Sequence, residues 1–94
     1  MSIRLTVQFN IQPGKSEEFE AAAVAGTKAV KKTDKGCEMY DLFRSVEDPT
    51  RYVIVESWAT AADVEAHGSS PAMAEMGKIG DFMAGAPTLH KYED

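Results

Sequence analysis

Apolar and polar positions alternate without a break from Ile3 to Asn10. Ile3, Leu5, Val7 and Phe9 fall on one side, and Arg4, Thr6, Gln8 and Asn10 on the other. A period of two is that of a strand with one buried face. Pro13-Gly14 ends it. Ser16 ahead of Glu17 and Glu18 then predicts a helix N-cap with acids in the first turn, where the helix dipole favours them. From there to about Thr33 the period lengthens, and Phe19, Ala22, Ala23, Gly26, Ala29 and Val30 form one helical stripe. Beyond its first turn this stripe is mostly Ala and Gly, so the helix either packs closely there or leaves space beside it. Lys28, Lys31, Lys32 and Lys35 gather near its C-terminal end and read as a solvated helix end.

Gly36 breaks the helix, and a second strand runs from Cys37 to Arg44. Simple alternation groups Glu38 and Arg44 with Tyr40 and Leu42, and Asp41 with Met39 and Phe43. Such mixing suits an edge strand. Glu47-Asp48-Pro49-Thr50 is a turn. The third strand, Tyr52 to Trp58, is apolar on both faces, with Tyr52, Ile54 and Trp58 on one and Val53 and Val55 on the other. That predicts a central strand covered on both sides. Thr60 with Asp63 opens a short helix from Ala61 to about His67. Ser70-Pro71 caps another with proline at its first position, and Met73, Met76, Ile79 or Gly80, and Met83 form its stripe. Gly85 and Pro87 end it, and Thr88 to Tyr92 makes a last strand. The order β-α-β-β-α-β, with its second helix broken in two, predicts an α+β, ferredoxin-like sandwich with an antiparallel sheet, as one domain over residues 1–94. Two helices cover only one sheet face. The apolar second face of strand three therefore predicts a homodimer, with two sheets packed face to face.

Composition narrows the function. The chain has 94 residues, and ten basic against fifteen acidic ones give a net charge of −5, which disfavours a phosphate-backbone partner, so no nucleic acid is expected. The lone Cys37 excludes an internal disulfide and a cysteine-based zinc site. No apolar run approaches a membrane span, and the opening MSIRLTVQ carries no apolar signal core. The expectation is a cytoplasmic protein without a membrane partner.

The usual catalytic signatures are absent: there is no H-E-x-x-H, no G-x-S-x-G and no phosphate-binding glycine loop. Asp63 and His67 are spaced i, i+4, as two metal ligands could be, but no third ligand is recognisable and no metal is expected. Glu56 and Trp58 share a strand face with Ile54 and Tyr52. A carboxylate there costs several kcal/mol unless paired. Glu56 is thus either a pocket acid or base, or the partner of an arginine or backbone donor, including one across a dimer. Trp58 reads as core or interface, or as the wall of an aromatic pocket. His67, at a helix end, reads as a proton carrier or as a ring bonded to the last carbonyls. Met73, Met76, Phe82 and Met83 read as core or as an adaptable pocket lining against the Ala-rich helix. Cys37 reads as packing.

These residues together resemble a known family. Gly36-Cys37-Glu38-Met39-Tyr40-Asp41-Leu42 is similar to the G-C-x-x-Y-x-L strand of the antibiotic biosynthesis monooxygenase-like domains. The likeness continues through Asp48-Pro49, Glu56-Ser57-Trp58 and the spacing Trp58-x8-His67-x3-Pro71, and includes Pro13-Gly14-Lys15 in the first turn. The resemblance implies ferredoxin-like subunits that pair into a dimeric α/β barrel, each with an apolar cavity between sheet and helices. It implies oxidation of a phenol or quinol by O2 with no metal, flavin or haem, the substrate anion itself reducing oxygen. In that scheme Trp58 is a pocket wall, His67 a polar group at the mouth or a proton carrier, and Glu56 a structural or interfacial carboxylate. Trp58 and His67 are the candidate catalytic pair. Tyr40, Ile54, Glu56, Met73, Met76, Phe82 and Met83 are the candidate substrate-binding set. Two positions depart from family branches. Ile54 stands where the polyketide-oxidising branch has asparagine. His67 and Gly77 stand where the haem-degrading branch has tryptophan and histidine, which removes the expected iron ligand. The expected function is a cofactor-independent monooxygenase acting on a quinol or related aromatic. The alternatives are a non-catalytic ligand-binding dimer and a non-oxidative isomerase or lyase acting on a small keto compound.

Overall fold

The computed structural model describes residues 2–93. Its elements run β1 (Ile3–Asn10), α1 (Ser16–Thr33), β2 (Cys37–Arg44), β3 (Arg51–Trp58), α2 (Ala61–Gly68), α3 (Ala72–Met76) and β4 (Thr88–Glu93), with a 3₁₀ segment, Gly77–Phe82, between α3 and β4. The strands form one antiparallel sheet in the order β2-β3-β1-β4, the ferredoxin-like α+β arrangement that the sequence predicts. β3 is central and β2 an edge, as their patterns require. Among the described residues no helix is long and apolar enough to cross a membrane.

The core lies between one sheet face and α1 with α3. Leu5 and Phe9 of β1, Tyr40 of β2, and Tyr52, Ile54 and Trp58 of β3 meet Phe19, Ala23 and Val30 of α1 and Ala72 and Met76 of α3. The rings of Phe19 and Tyr52 lie 4.6 Å apart at a tilt, which fixes the first turn of α1 on the sheet. The Tyr52 hydroxyl donates to Glu20, which also pairs with Arg44 at 3.2 Å.

Four details differ from the sequence reading. Ser16 does not cap α1: Lys15 holds the N-cap position without a side-chain bond, and Ser16 Oγ donates instead to the Pro49 carbonyl at 2.9 Å, tying the helix to the β2–β3 turn. A bulge in β2 puts Cys37 opposite Trp58 and Met39 opposite Ser57. The extra residue, Glu38, therefore leaves the face of Tyr40 and accepts hydrogen bonds from Ser2 and Ser57. The long second helix is only five residues of α-helix before it tightens to 3₁₀. Gly77 and Gly80 lower the helical propensity there. Pro71 stands just ahead of α3, and Ser70 Oγ accepts the Ala72 N–H at 3.0 Å.

Among the described residues no helix covers the opposite sheet face. Val53 and Val55 are half-buried there, and Phe43 and Tyr92 are largely exposed.

Candidate active site

A cavity of about 580 Å³ lies between the helix-side sheet face and the α2–α3–3₁₀ segment. Its walls are apolar. Leu5 and Val7 of β1 and Ile54 of β3 form the floor; Met73, Met76 and Ile79 form the roof. Met83, Pro87 and the exposed Leu89 stand toward β4. Tyr40, Glu56 and His67 meet at the other end, and Lys91 of β4 also lines the cavity. Strand pairing creates this end, because the bulge brings Tyr40 opposite Glu56, two residues before Trp58.

Glu56 is buried on the helix side of the sheet, and its Oε1 accepts the Trp58 indole N–H at 3.0 Å. Its partner is thus neither an arginine nor a backbone donor, and the carboxylate lies in the cavity rather than on the bare sheet face. Burial pushes its pKa up; the Trp58 bond and nearby His67 only partly offset that. Burial and then the Glu56 charge push the Tyr40 phenol well up, so it stays protonated and able to donate. Burial likewise raises the Cys37 thiol, which fits a packing role.

His67, at the end of α2, is clamped on three sides. Its ring lies 4.6 Å from that of Trp58 and 5.2 Å from that of Tyr40. Its Nδ1 lies 2.6 Å from Asp34 Oδ2, with both side chains nearly sealed from solvent. The ring is therefore not bonded to the last helix carbonyls. Asp34 Oδ1 accepts from Ser70 Oγ at 2.6 Å and from Thr33 Oγ1 at 3.1 Å. Burial alone would raise the Asp34 carboxyl, but its bonds to His67, Ser70 and Thr33 and the His67 charge hold it below its ordinary value. Asp34 is therefore ionised, and the His67 Nδ1–H donates to it.

His67 also borders a second hollow of about 690 Å³, an outer cleft lined by Asp34, Lys35, Asp63, Ser70 and Glu75 among others. It holds none of Tyr40, Glu56 and the methionines, so the groups singled out in the sequence, apart from His67, lie elsewhere. The 580 Å³ cavity is the candidate site. The two share only His67.

Of the residues singled out in the sequence, Tyr40, Ile54, Glu56, His67, Met73, Met76 and Met83 line the cavity. Trp58 and Phe82 do not. Trp58 is fully buried behind the wall, where its ring backs His67 and its N–H holds Glu56, and Phe82 is half-buried in the core beside the 3₁₀ segment. Asp63 and His67 do not converge, since the Asp63 carboxylate packs against Gly36 while the imidazole turns to Asp34. Among the described residues no three His, Cys, Asp or Glu side chains are grouped to hold a metal ion. The sequence reading missed Asp34. Its signal was an acid at the C-terminal cap of a helix otherwise finished with lysines, against the dipole.

The sequence profile of the family named Antibiotic biosynthesis monooxygenase matches residues 2–78. The chain belongs to that family. Solved structures of the monooxygenase fold agree closely with it. One from Caulobacter crescentus, assigned to the antibiotic biosynthesis monooxygenases, superposes with a TM-score of 0.91 at 29% identity over 99% of this chain and 89% of that one. A conserved Bacteroides thetaiotaomicron protein of unknown function, described as a possible oxidoreductase, gives 0.88 at 29% identity over 99% and 97%. A Bordetella bronchiseptica protein with the same family assignment gives 0.84 at 29% over 99% and 96%. No curated protein sequence matches the chain significantly.

Proposed function

We propose that this member of the family is a cofactor-independent monooxygenase that oxidises a quinol or related aromatic with O2. The supporting observation is the apolar cavity with Tyr40, Glu56 and His67 gathered at one end. A planar ring fits between Ile54 and the Met73–Met76 wall, with its hydroxyl at the polar end. His67 Nε2 accepts the hydroxyl proton, and Asp34 balances the imidazolium that forms. The phenolate gives electrons to O2 and forms a ring peroxide, which takes the proton back from His67; the O–O bond then breaks as the same ring carbon loses its hydrogen, and that proton leaves with the distal hydroxide as water. A hydroquinone and O2 thus give a hydroxyquinone and water. Ile54 offers oxygen no polar contact, so that task falls to Tyr40, whose phenol keeps its proton. Excluding water protects the anion from premature protonation.

The test is oxygen uptake by metal-free protein with hydroquinones and anthrols, corrected for autoxidation. His67→Ala is expected to lower turnover about a hundredfold. Unchanged turnover in a folded His67→Ala protein would remove the assigned role.

The Asp34–His67 pair beside a proton-donating phenol also suits a second reading, isomerisation or lyase chemistry on a small keto compound through its enol. Such turnover persists under nitrogen, whereas oxidation stops. Saturable binding with neither activity would leave a ligand carrier. We also propose that the bare sheet face carrying Val53, Val55, Phe43 and Tyr92 pairs two copies into a homodimer.

A further inference from the structure

A carboxylate at the C-terminal cap of a helix faces the negative end of the dipole, and local rules would place a lysine or glycine there. Asp34 holds that position in α1, with its own N–H bonded to the Val30 carbonyl. Such a violation of local preference marks a residue retained for something other than the helix. Both its oxygens are engaged from a distance in sequence. Oδ1 accepts from Ser70, 36 residues on, and Oδ2 faces His67, 33 residues on. Ser70 cannot swing freely, because its Oγ also accepts the Ala72 N–H.

The consequence falls on the imidazole. With Nδ1 bonded to Asp34, Nε2 projects away from it and has no hydrogen-bond partner among the described residues. No buried side-chain nitrogen or oxygen among the described residues lacks a partner, so Nε2 lies open to space that His67 lines. The flanking Trp58 and Tyr40 rings prevent the imidazole from turning over.

We propose that Asp34, steadied by Ser70, is a positioning residue for His67: it fixes the imidazole proton on Nδ1 and so presents Nε2 to the apolar cavity as the base. This rests on the monooxygenase reading of the cavity only for its kinetic test. A carboxylate bonded to Nδ1 sets both tautomer and orientation, as in hydrolase triads. Here it also supplies the counter-charge when Nε2 takes a proton. His67 also borders both the cavity and the outer cleft that Asp34 lines.

Long-range ¹H–¹⁵N correlation spectra of the ring nitrogens read the tautomer without any turnover, with His90→Gln used to assign the two histidines. The expected result at alkaline pH is a proton on His67 Nδ1. A proton on Nε2 would overturn the proposal. Adding a hydroxyanthraquinone, which cannot be oxidised further in this way, is expected to shift the Nε2 resonance in the parent and much less in Asp34→Asn. Equal shifts in both would also overturn it. For quinol oxidation, Asp34→Asn is expected to lower kcat about a hundredfold with KM changed less than about threefold. Asp34→Glu, which keeps the charge, is expected to recover part of that loss, and Ser70→Ala to cost about three- to tenfold in kcat. Parent-like kcat in Asp34→Asn would refute the positioning role. If no quinol is turned over by the parent, the monooxygenase reading fails alone, and the tautomer and ligand spectra still decide the role of Asp34.

Discussion

Asp34 and Glu56 are both interior carboxylates within reach of His67, yet their surroundings drive them in opposite directions. For Asp34 the bonds from His67, Ser70 and Thr33 outweigh burial and lower its pKa from 3.8. A lowered carboxyl stabilises the fold above its unfolded value and loses that contribution as the pH falls through the folded one. Asp34→Asn should therefore be less stable than the parent at neutral pH, with the gap closing in strong acid. For Glu56 burial dominates and raises its pKa from 4.5. Its favourable contribution is complete below 4.5 and is lost as the pH rises through the folded value. Glu56→Gln keeps an oxygen for the Trp58 indole, so it should gain stability relative to the parent on going from acid to neutral pH. Thermal midpoints of the three proteins across the acid-to-neutral range check both signs, and parallel curves would contradict them. Glu56 was legible in the sequence because a charge interrupts an apolar strand. Asp34 showed only as an acid at a lysine-rich helix end; its pairing was not legible, because its two partners lie more than thirty residues away.

At the scale of elements, close approaches decide what each helix can do. Gly36 has φ +81°, and a Cβ there would fall 2.0 Å from the Asp63 carboxylate oxygen. Both strain and overlap oppose a side chain, so Gly36→Ala should cost about 2–4 kcal/mol in denaturant titration. At Gly26, α1 meets α3: an added Cβ would lie 2.3 Å from Met76 Sδ and 3.3 Å from its Cα. Met76 is also cavity wall. Gly26→Ala should thus push it inward, costing about 1–3 kcal/mol of stability and reducing the affinity for a hydroxyanthraquinone in calorimetry. Unaltered affinity would separate the helix contact from the cavity. The small-residue stripe of α1 thus has both properties its sequence allowed, contact at Gly26 and open space beside Ala29. β1 was legible from its period of two, and β3 from an apolar run that begins just after a turn. The bulge at Glu38 was not, since one extra residue in a mixed edge strand leaves no break in pattern. Nor was the collapse of the second helix, because Met73, Met76 and Met83 keep helical spacing across residues that adopt 3₁₀ turns.

For the molecule as a whole, the asymmetry between the two sheet faces is the main fact. One face carries the core and the cavity. The other presents Val53 and Val55 at its centre, with Phe43 and Tyr92 exposed to either side. Val55→Arg places a charge in the middle of that face, where pairing would bury it. Light scattering should give twice the chain mass for the parent and one chain mass for the variant. A parent with the mass of one chain would end the dimer proposal, while the cavity, built from a single chain, would stand. That independence has a practical side, because the chain has one tryptophan, Trp58, and it lies fully buried beside the His67 imidazole and the Glu56 carboxyl. Protonated imidazole quenches indole emission by accepting an electron from the excited ring. The emission of this single tryptophan, excited selectively over the three tyrosines, is therefore a built-in optical gauge of the charge on its proposed base, readable without a label and in the presence of any ligand transparent at both the excitation and emission wavelengths.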